Sequence, residues 1–166
     1  MRILYAILFV MLGFQSLAQF TTIPCKDTLQ IDNPFYLCNC PEYDPVCGCD
    51  GKTYRNPKIA LFAYHLSNYV DGPCEPYDFD LLPNITIDEL RLEIVVKNPS
   101  QVLVVINDLF GHQMYGDYFG VTDRYVATLQ TGPWQYGFYT VTVYLIDSNV
   151  AARQAIKTKK FIKAKY

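Results

Sequence analysis

From Phe138 to Ile146 apolar and polar side chains alternate, with Val141, Val143 and Leu145 on one face and Thr140, Thr142 and Tyr144 on the other. That period of two belongs to a strand with one buried face. Further short runs rich in β-branched and aromatic residues lie at Leu90 to Lys97, Gln101 to Asn107, His112 to Phe119, Tyr125 to Leu129 and Thr158 to Lys163. Turn signals such as Asn98-Pro99-Ser100 and Phe110-Gly111 divide them. A spacing of about 8 to 12 residues predicts an all-β, immunoglobulin-like sandwich over residues 83–166.

The pattern ahead of this region differs. Pro45-Val46-Cys47 and Lys52-Thr53-Tyr54 flank Gly48-Cys49-Asp50-Gly51, which predicts a small hairpin with glycine where a positive φ is needed. Asn56-Pro57 supplies a helix cap and a first helical proline, and Ile59, Phe62, Ala63 and Leu66 recur at helical spacing. A helix of about ten residues is predicted, ending at Ser67-Asn68. Tyr69-Val70 adds an edge strand before Asp71-Gly72-Pro73 turns into Cys74. The acidic stretch Glu75-Pro76-Tyr77-Asp78-Phe79-Asp80 breaks the periodicity, so residues 76–82 are predicted to be a linker.

At the start of the chain Arg2 precedes an apolar run from Ile3 to Phe14, and Ser16-Leu17-Ala18 places small residues before Gln19. This is the pattern of a secretory signal peptide over residues 1–18. Its apolar core of about 12 residues is too short for a membrane span, which takes roughly 20, so no span is expected after cleavage. Export sends thiols into an oxidising compartment. All six cysteines lie between Cys25 and Cys74, which defines a disulfide-stapled module at residues 19–75 followed by a domain without staples. A hairpin and one helix bury too little to hold themselves, so cross-links worth about 2 to 4 kcal/mol each carry much of the module.

Composition narrows the function classes. The net charge of −2 and the scattered Lys and Arg give no footprint for nucleic acid. The 14 Tyr and 10 Phe suit half-buried strands. Six cysteines allow 15 pairings; fixing Cys47 with Cys74 leaves three, and discarding a strained Cys38–Cys40 bond leaves two.

The segment Tyr43-x-Pro45-Val46-Cys47-Gly48-x-Asp50-Gly51-Lys52-Thr53-Tyr54-x-Asn56, closed by Gly72-x-Cys74, resembles the signature of Kazal-type serine protease inhibitor domains. The resemblance implies a small α+β module and an exposed loop that binds a serine protease in a substrate-like way, here Pro41, Glu42, Tyr43 and Asp44. It implies that Asn56 hydrogen-bonds this loop from behind and that Tyr54 packs beneath it. A loop already fixed in its bound shape loses little entropy on docking, which is why a modest interface can bind tightly.

The chain departs from that pattern in two places. Lys58 and Leu61 stand where the family carries two helical cysteines, while Cys49 is added in the hairpin and Cys38 and Cys40 are paired in sequence. Resemblance to a partner-swapped form implies Cys38 with Cys49 and Cys25 with Cys40, beside Cys47 with Cys74. The loop is also one residue shorter before Tyr43. Counting from Cys40 makes Glu42 the specificity-setting residue; counting back from Cys47 makes it Pro41. Proline lacks the N–H and fills a pocket badly. Glutamate needs a protease with a basic pocket, because an unpaired buried carboxylate is costly. Protease inhibition is the expectation, and the alternative is a non-inhibitory structural or binding module displayed outside the cell.

The C-terminal region resembles the sorting domains of cargo of the bacterial type IX secretion system, through Val104-x-Ile106-x-Asp108-x-x-Gly111, Gly137-x-Tyr139-x-Val141 and Lys160-Phe161-Ile162-Lys163. That resemblance implies the type IX machinery as a partner and a secreted or cell-surface location. Asp27-Thr28-Leu29 resembles an O-glycosylation motif of such bacteria, and Asn84-Ile85-Thr86 is an N-glycosylation sequon that counts in a eukaryote. His65 and His112 stand apart from any cluster at metal-ligand spacing, and no cofactor is expected. The chain has no Gly-x-Ser-x-Gly elbow, His-Glu-x-x-His or phosphate loop, so an enzyme is not expected. The Lys157 to Lys163 cluster is expected to be the solvated face of a last strand.

Overall fold

The computed structural model describes residues 23–33, 42–146 and 153–165. The expected signal peptide and Cys38, Cys40 and Pro41 lie outside them. In the N-terminal module, β1 (Val46–Gly48) pairs antiparallel with β2 (Thr53–Tyr54) and with β3 (Tyr69–Asp71) in a three-stranded sheet. The predicted hairpin and edge strand are both present. Gly51 supplies the positive φ, at 76°. Gly48 serves close approach instead: a Cβ there would stand 2.6 Å from the Leu66 side chain and 2.8 Å from the Tyr54 ring. Among the described residues, the module's own apolar core is built on Val46, Tyr54, Ala60 and Leu66.

The helix begins as predicted and ends early. Asn56 Oδ1 accepts the Ile59 amide at 2.9 Å, which caps a turn of helix wound as a π-helix over Ile59–Ala63. The expected ten residues fail to form because other partners take the next groups. The Ala63 carbonyl accepts the Asn33 amide at 2.8 Å, and the Ser67 amide donates to Cys25 at 2.9 Å. His65 then takes a left-handed φ of 55°. The wide winding buries Ala60 and Ala63 and turns Phe62 outward, although it recurs at helical spacing with Ala63 and Leu66.

The C-terminal region is β-rich. The segment expected as a linker is instead β4 (Tyr77–Leu82), in which Tyr77, Phe79 and Leu81 are buried and Asp78 and Asp80 face outward. Its acidic residues look solvated in sequence, yet they are the alternate positions of a strand. A short β5 (Ile85–Thr86) follows. The runs expected as separate strands at Leu90 to Lys97 and Gln101 to Asn107 join in β6 (Glu89–Asp108). Those at His112 to Phe119 and Tyr125 to Leu129 likewise join in β7 (Gln113–Gln130). Asn98-Pro99-Ser100 does not reverse the chain; it marks a register shift in the β6–β7 ladder. β8 (Gly137–Ile146) and β9 (Arg153–Lys163) complete the sheet, with order β4-β6-β8-β9-β5 and β7 against β6.

The first half of β6 pairs with β4, and its second half with β8. Even so, the Tyr77 hydroxyl on β4 donates to the Val143 carbonyl of β8 at 2.7 Å and accepts the Lys157 amide of β9 at 2.6 Å. A sheet whose first strand reaches its later strands has folded over on itself. This yields two sandwich-like layers joined by continuous long strands around one core, which includes Phe79, Leu92, Ile94, Val104, Ile106, Val141 and Phe161. Strands expected to be separate are thus replaced by long strands shared between the layers. The Lys157 to Lys163 face also differs from expectation: Lys160 is exposed, but Lys163 is buried, and Lys157 and Lys159 reach Asp78 and Asp80 at 3.3 and 3.7 Å.

Removing the Tyr77 hydroxyl takes a donor from the buried Val143 carbonyl and an acceptor from the part-buried Lys157 amide. Tyr77→Phe is therefore expected to lower stability by about 1 to 3 kcal/mol in urea unfolding, whereas a loss under about 0.3 kcal/mol would mean that the bridge closes nothing.

Candidate functional site

The chain from Glu42 to Pro45 leads into β1, and the Cys47–Cys74 disulfide ties β1 to the end of the module. This is the pairing expected. The other expected pairs are corrected: Cys25 bonds to Cys49, with Cα atoms 5.5 Å apart. The physical reason lies in the N-terminal segment, which docks on the end of the helix through Asp27 to His65 and Ser67 to Cys25 hydrogen bonds and so brings Cys25 beside the hairpin turn. Cys49 also accepts placement there through its amide, which donates to Asn68.

Within the expected protease-binding loop, Glu42 and Asp44 are exposed, whereas Tyr43 is only 2% exposed. The Asp44 amide donates to the Arg55 carbonyl at 3.1 Å, which holds the loop to the residue following β2. Tyr54 is buried and its hydroxyl donates to Asp50 at 2.8 Å, with its ring 4.9 Å from that of Tyr64. Asn56 is buried at the start of the helix, where its carbonyl oxygen serves as the cap. Both residues expected to support the loop are interior.

Tyr43 is held from the second domain. Its hydroxyl donates to Asp78 Oδ2 at 2.7 Å, and its carbonyl accepts a hydrogen bond from the Arg124 guanidinium. The Arg55 guanidinium lies 5.7 Å from the centre of its ring and pairs with Asp80. Asp78 and Asp80 are the outward positions of β4, and Arg124 lies opposite Val95 on the adjoining β6–β7 ladder. Burial, and then the charge of Asp78, push the Tyr43 phenol far above its ordinary pKa, so the hydroxyl stays a donor at physiological pH. Glu93, aligned with Asp80 on the same outer face, is 3% exposed, with Arg91 Nε 2.7 Å from its carboxylate. A carboxylate on the outer face of a sheet is buried to that extent when something covers it. Sequence reading missed Asp78, Asp80, Glu93 and Arg124; alternation of Tyr77, Phe79 and Leu81 with acidic residues was the available signal.

The remaining candidates sit elsewhere. Asp27 accepts the Leu29 amide at 3.0 Å in a turn that leaves Thr28 exposed, and Asn84 is exposed beside β5. Val104 and Ile106 are core residues, while Asp108 caps the hairpin before Gly111 by accepting the Phe110 and His112 amides at 2.8 Å. His112 lies 2.9 Å from the Asp108 carboxylate, and His65 contacts the Ile31 carbonyl. Among the described residues no group of three or more His, Cys, Asp and Glu could hold a metal ion, and no helix is long and apolar enough to cross a membrane.

Comparison with known families matches residues 36–68 to the Kazal-type serine protease inhibitor domain. The match covers the loop, the hairpin and the helix but stops short of Cys74 and of the β-rich domain. No curated protein matches the chain.

Partial reduction with stepwise alkylation and peptide mapping is expected to pair Cys25 with Cys49 and Cys47 with Cys74. Replacing Cys25 and Cys49 together with Ser should lower stability by about 2 to 4 kcal/mol. Pairing of Cys38 with Cys49 in that experiment would reject the bond between Cys25 and Cys49.

Proposed function

We propose that the chain is an exported, Kazal-type serine protease inhibitor that meets its target through Pro41, Glu42, Tyr43 and Asp44. The observation that carries this reading is the family match over residues 36–68, which spans the whole loop. The geometry around the loop supports it. Cys47–Cys74 anchors the chain just beyond Pro45, and the Asp44 to Arg55 hydrogen bond limits what the loop can do when unbound. Such restraint is what a substrate-like inhibitor needs, because slow cleavage requires that the loop stay in place after attack.

Export is supported by the leader pattern at residues 1–18 and by disulfides that persist in an oxidising compartment. The β-rich domain is proposed to be an immunoglobulin-like sorting domain of the type IX kind, ending in the Lys160-Phe161-Ile162-Lys163 strand. A second reading is favoured by one specific observation, the burial of Tyr43. In that reading the module keeps the scaffold and serves as a structural or binding unit outside the cell.

A panel of trypsin-, chymotrypsin-, elastase-, subtilisin- and glutamyl-specific serine proteases separates the two. The expected result is inhibition of at least one of them by micromolar chain, with slow cleavage mapped next to Pro41 or Glu42. If every protease keeps its rate, both with the full chain and with a variant stripped of its contacts to Tyr43, the inhibitor reading fails and the structural one stands.

A further inference from the structure

A protease that takes a loop as substrate uses the loop's main-chain carbonyls and amides as well as its side chains, much as an added strand would. At Tyr43 the carbonyl and the side chain are already used within the chain. Its hydroxyl goes to Asp78, its carbonyl to Arg124, and its ring lies under Arg55, which Asp80 holds in turn. The surface providing these contacts is chemically matched to its occupant: outward carboxylates on β4 face a phenol donor and a guanidinium, and a guanidinium on β7 faces a carbonyl. Only Glu75 and Pro76 separate Cys74 from β4, and the Cys47–Cys74 bond places β1 at the same point. The loop therefore has little freedom to leave the neighbourhood of that face.

We propose that the outer face formed by Asp78, Asp80 and Arg124 is a docking surface for the module's own loop, and that it competes with the target protease for Tyr43. This inference rests on the inhibitor reading above. It makes the chain a restrained inhibitor, whose loop is offered only when the β-rich domain lets Tyr43 go. Glu42 remains exposed beside the docked tyrosine, so a protease with a basic pocket has a first point of contact before the loop is released.

The test uses the full chain and its Asp78→Asn/Arg124→Ala variant, with Arg124→Ala alone as a milder form because Arg124 is exposed and outside the core. Tetranitromethane nitration followed by peptide mass spectrometry reads the accessibility of Tyr43, with exposed Tyr136 as internal reference. In the full chain Tyr43 is expected to react at least tenfold more slowly than Tyr136. In the double variant its rate should rise at least tenfold, and inhibition of the same protease should tighten at least tenfold. Equal nitration of Tyr43 and Tyr136 in the full chain overturns the docking. A released Tyr43 with unchanged inhibition by both forms overturns the competition alone. A released Tyr43 with no protease slowed by either form overturns the inhibitor reading together with the competition built on it.

Discussion

The arrangement depends on the Cys47–Cys74 disulfide and the two-residue connection that follows it. The bond fastens β1, which begins just beyond the loop, to Cys74 near the end of the module, and Glu75-Pro76 then lead directly into β4. No slack separates a small stapled unit from the first strand of a larger sheet. Each polar contact between them is modest, since a partly exposed ion pair contributes about 0 to 1 kcal/mol and a hydrogen bond to a charged group about 1.5 to 3. Tethering changes their effect. When the partner cannot diffuse away, its effective concentration is high and weak contacts stay formed.

That tether also explains how so small a module can persist. Among the described residues its core rests on Val46, Tyr54, Ala60 and Leu66 with flanking aromatics, fewer than the buried residues of the β-rich cluster. The Cys25–Cys49 bond pins the N-terminal segment across the end of the helix, where that segment takes hydrogen bonds the helix would otherwise make. With Lys58 and Leu61 where the resemblance implies cysteines, the helix is held instead at its end by a neighbouring segment.

Much of this was legible in the sequence, and what was not had physical causes. The β1–β2 hairpin, the Asn56 cap and the alternating strands follow from local rules of φ, capping and period two, which tertiary structure left intact. The helix length depended on where the Ala63 carbonyl finds its donor, and Asn33 lies far from it in sequence. The Cys25–Cys49 pairing had the same origin in a long-range dock. Asp78 and Asp80 read as a solvated linker because charge commonly marks solvent; here Lys157, Lys159, Arg55 and Tyr43 satisfy them. Within the loop, local pattern identified Tyr43 but could not show that a residue 81 positions away would hold its carbonyl.

Magnitudes decide what a docked Tyr43 means for inhibition. A substrate-like complex of ordinary size and nanomolar strength corresponds to about −12 kcal/mol. A clamp made of a few charge-assisted contacts opposes it by a few kcal/mol, which weakens binding by about one to three powers of ten. Such an opposing equilibrium cannot silence a protease that fits the loop well, yet it removes those that fit it poorly. A population tax of this kind falls on every partner equally in free energy, so its consequence is a threshold of affinity, not a change in rank. Under the proposed reading, the burial of Tyr43 and the Kazal-type match are therefore compatible: the same β4 and β7 side chains that hold Tyr43 would set how good a protease must be to open the loop.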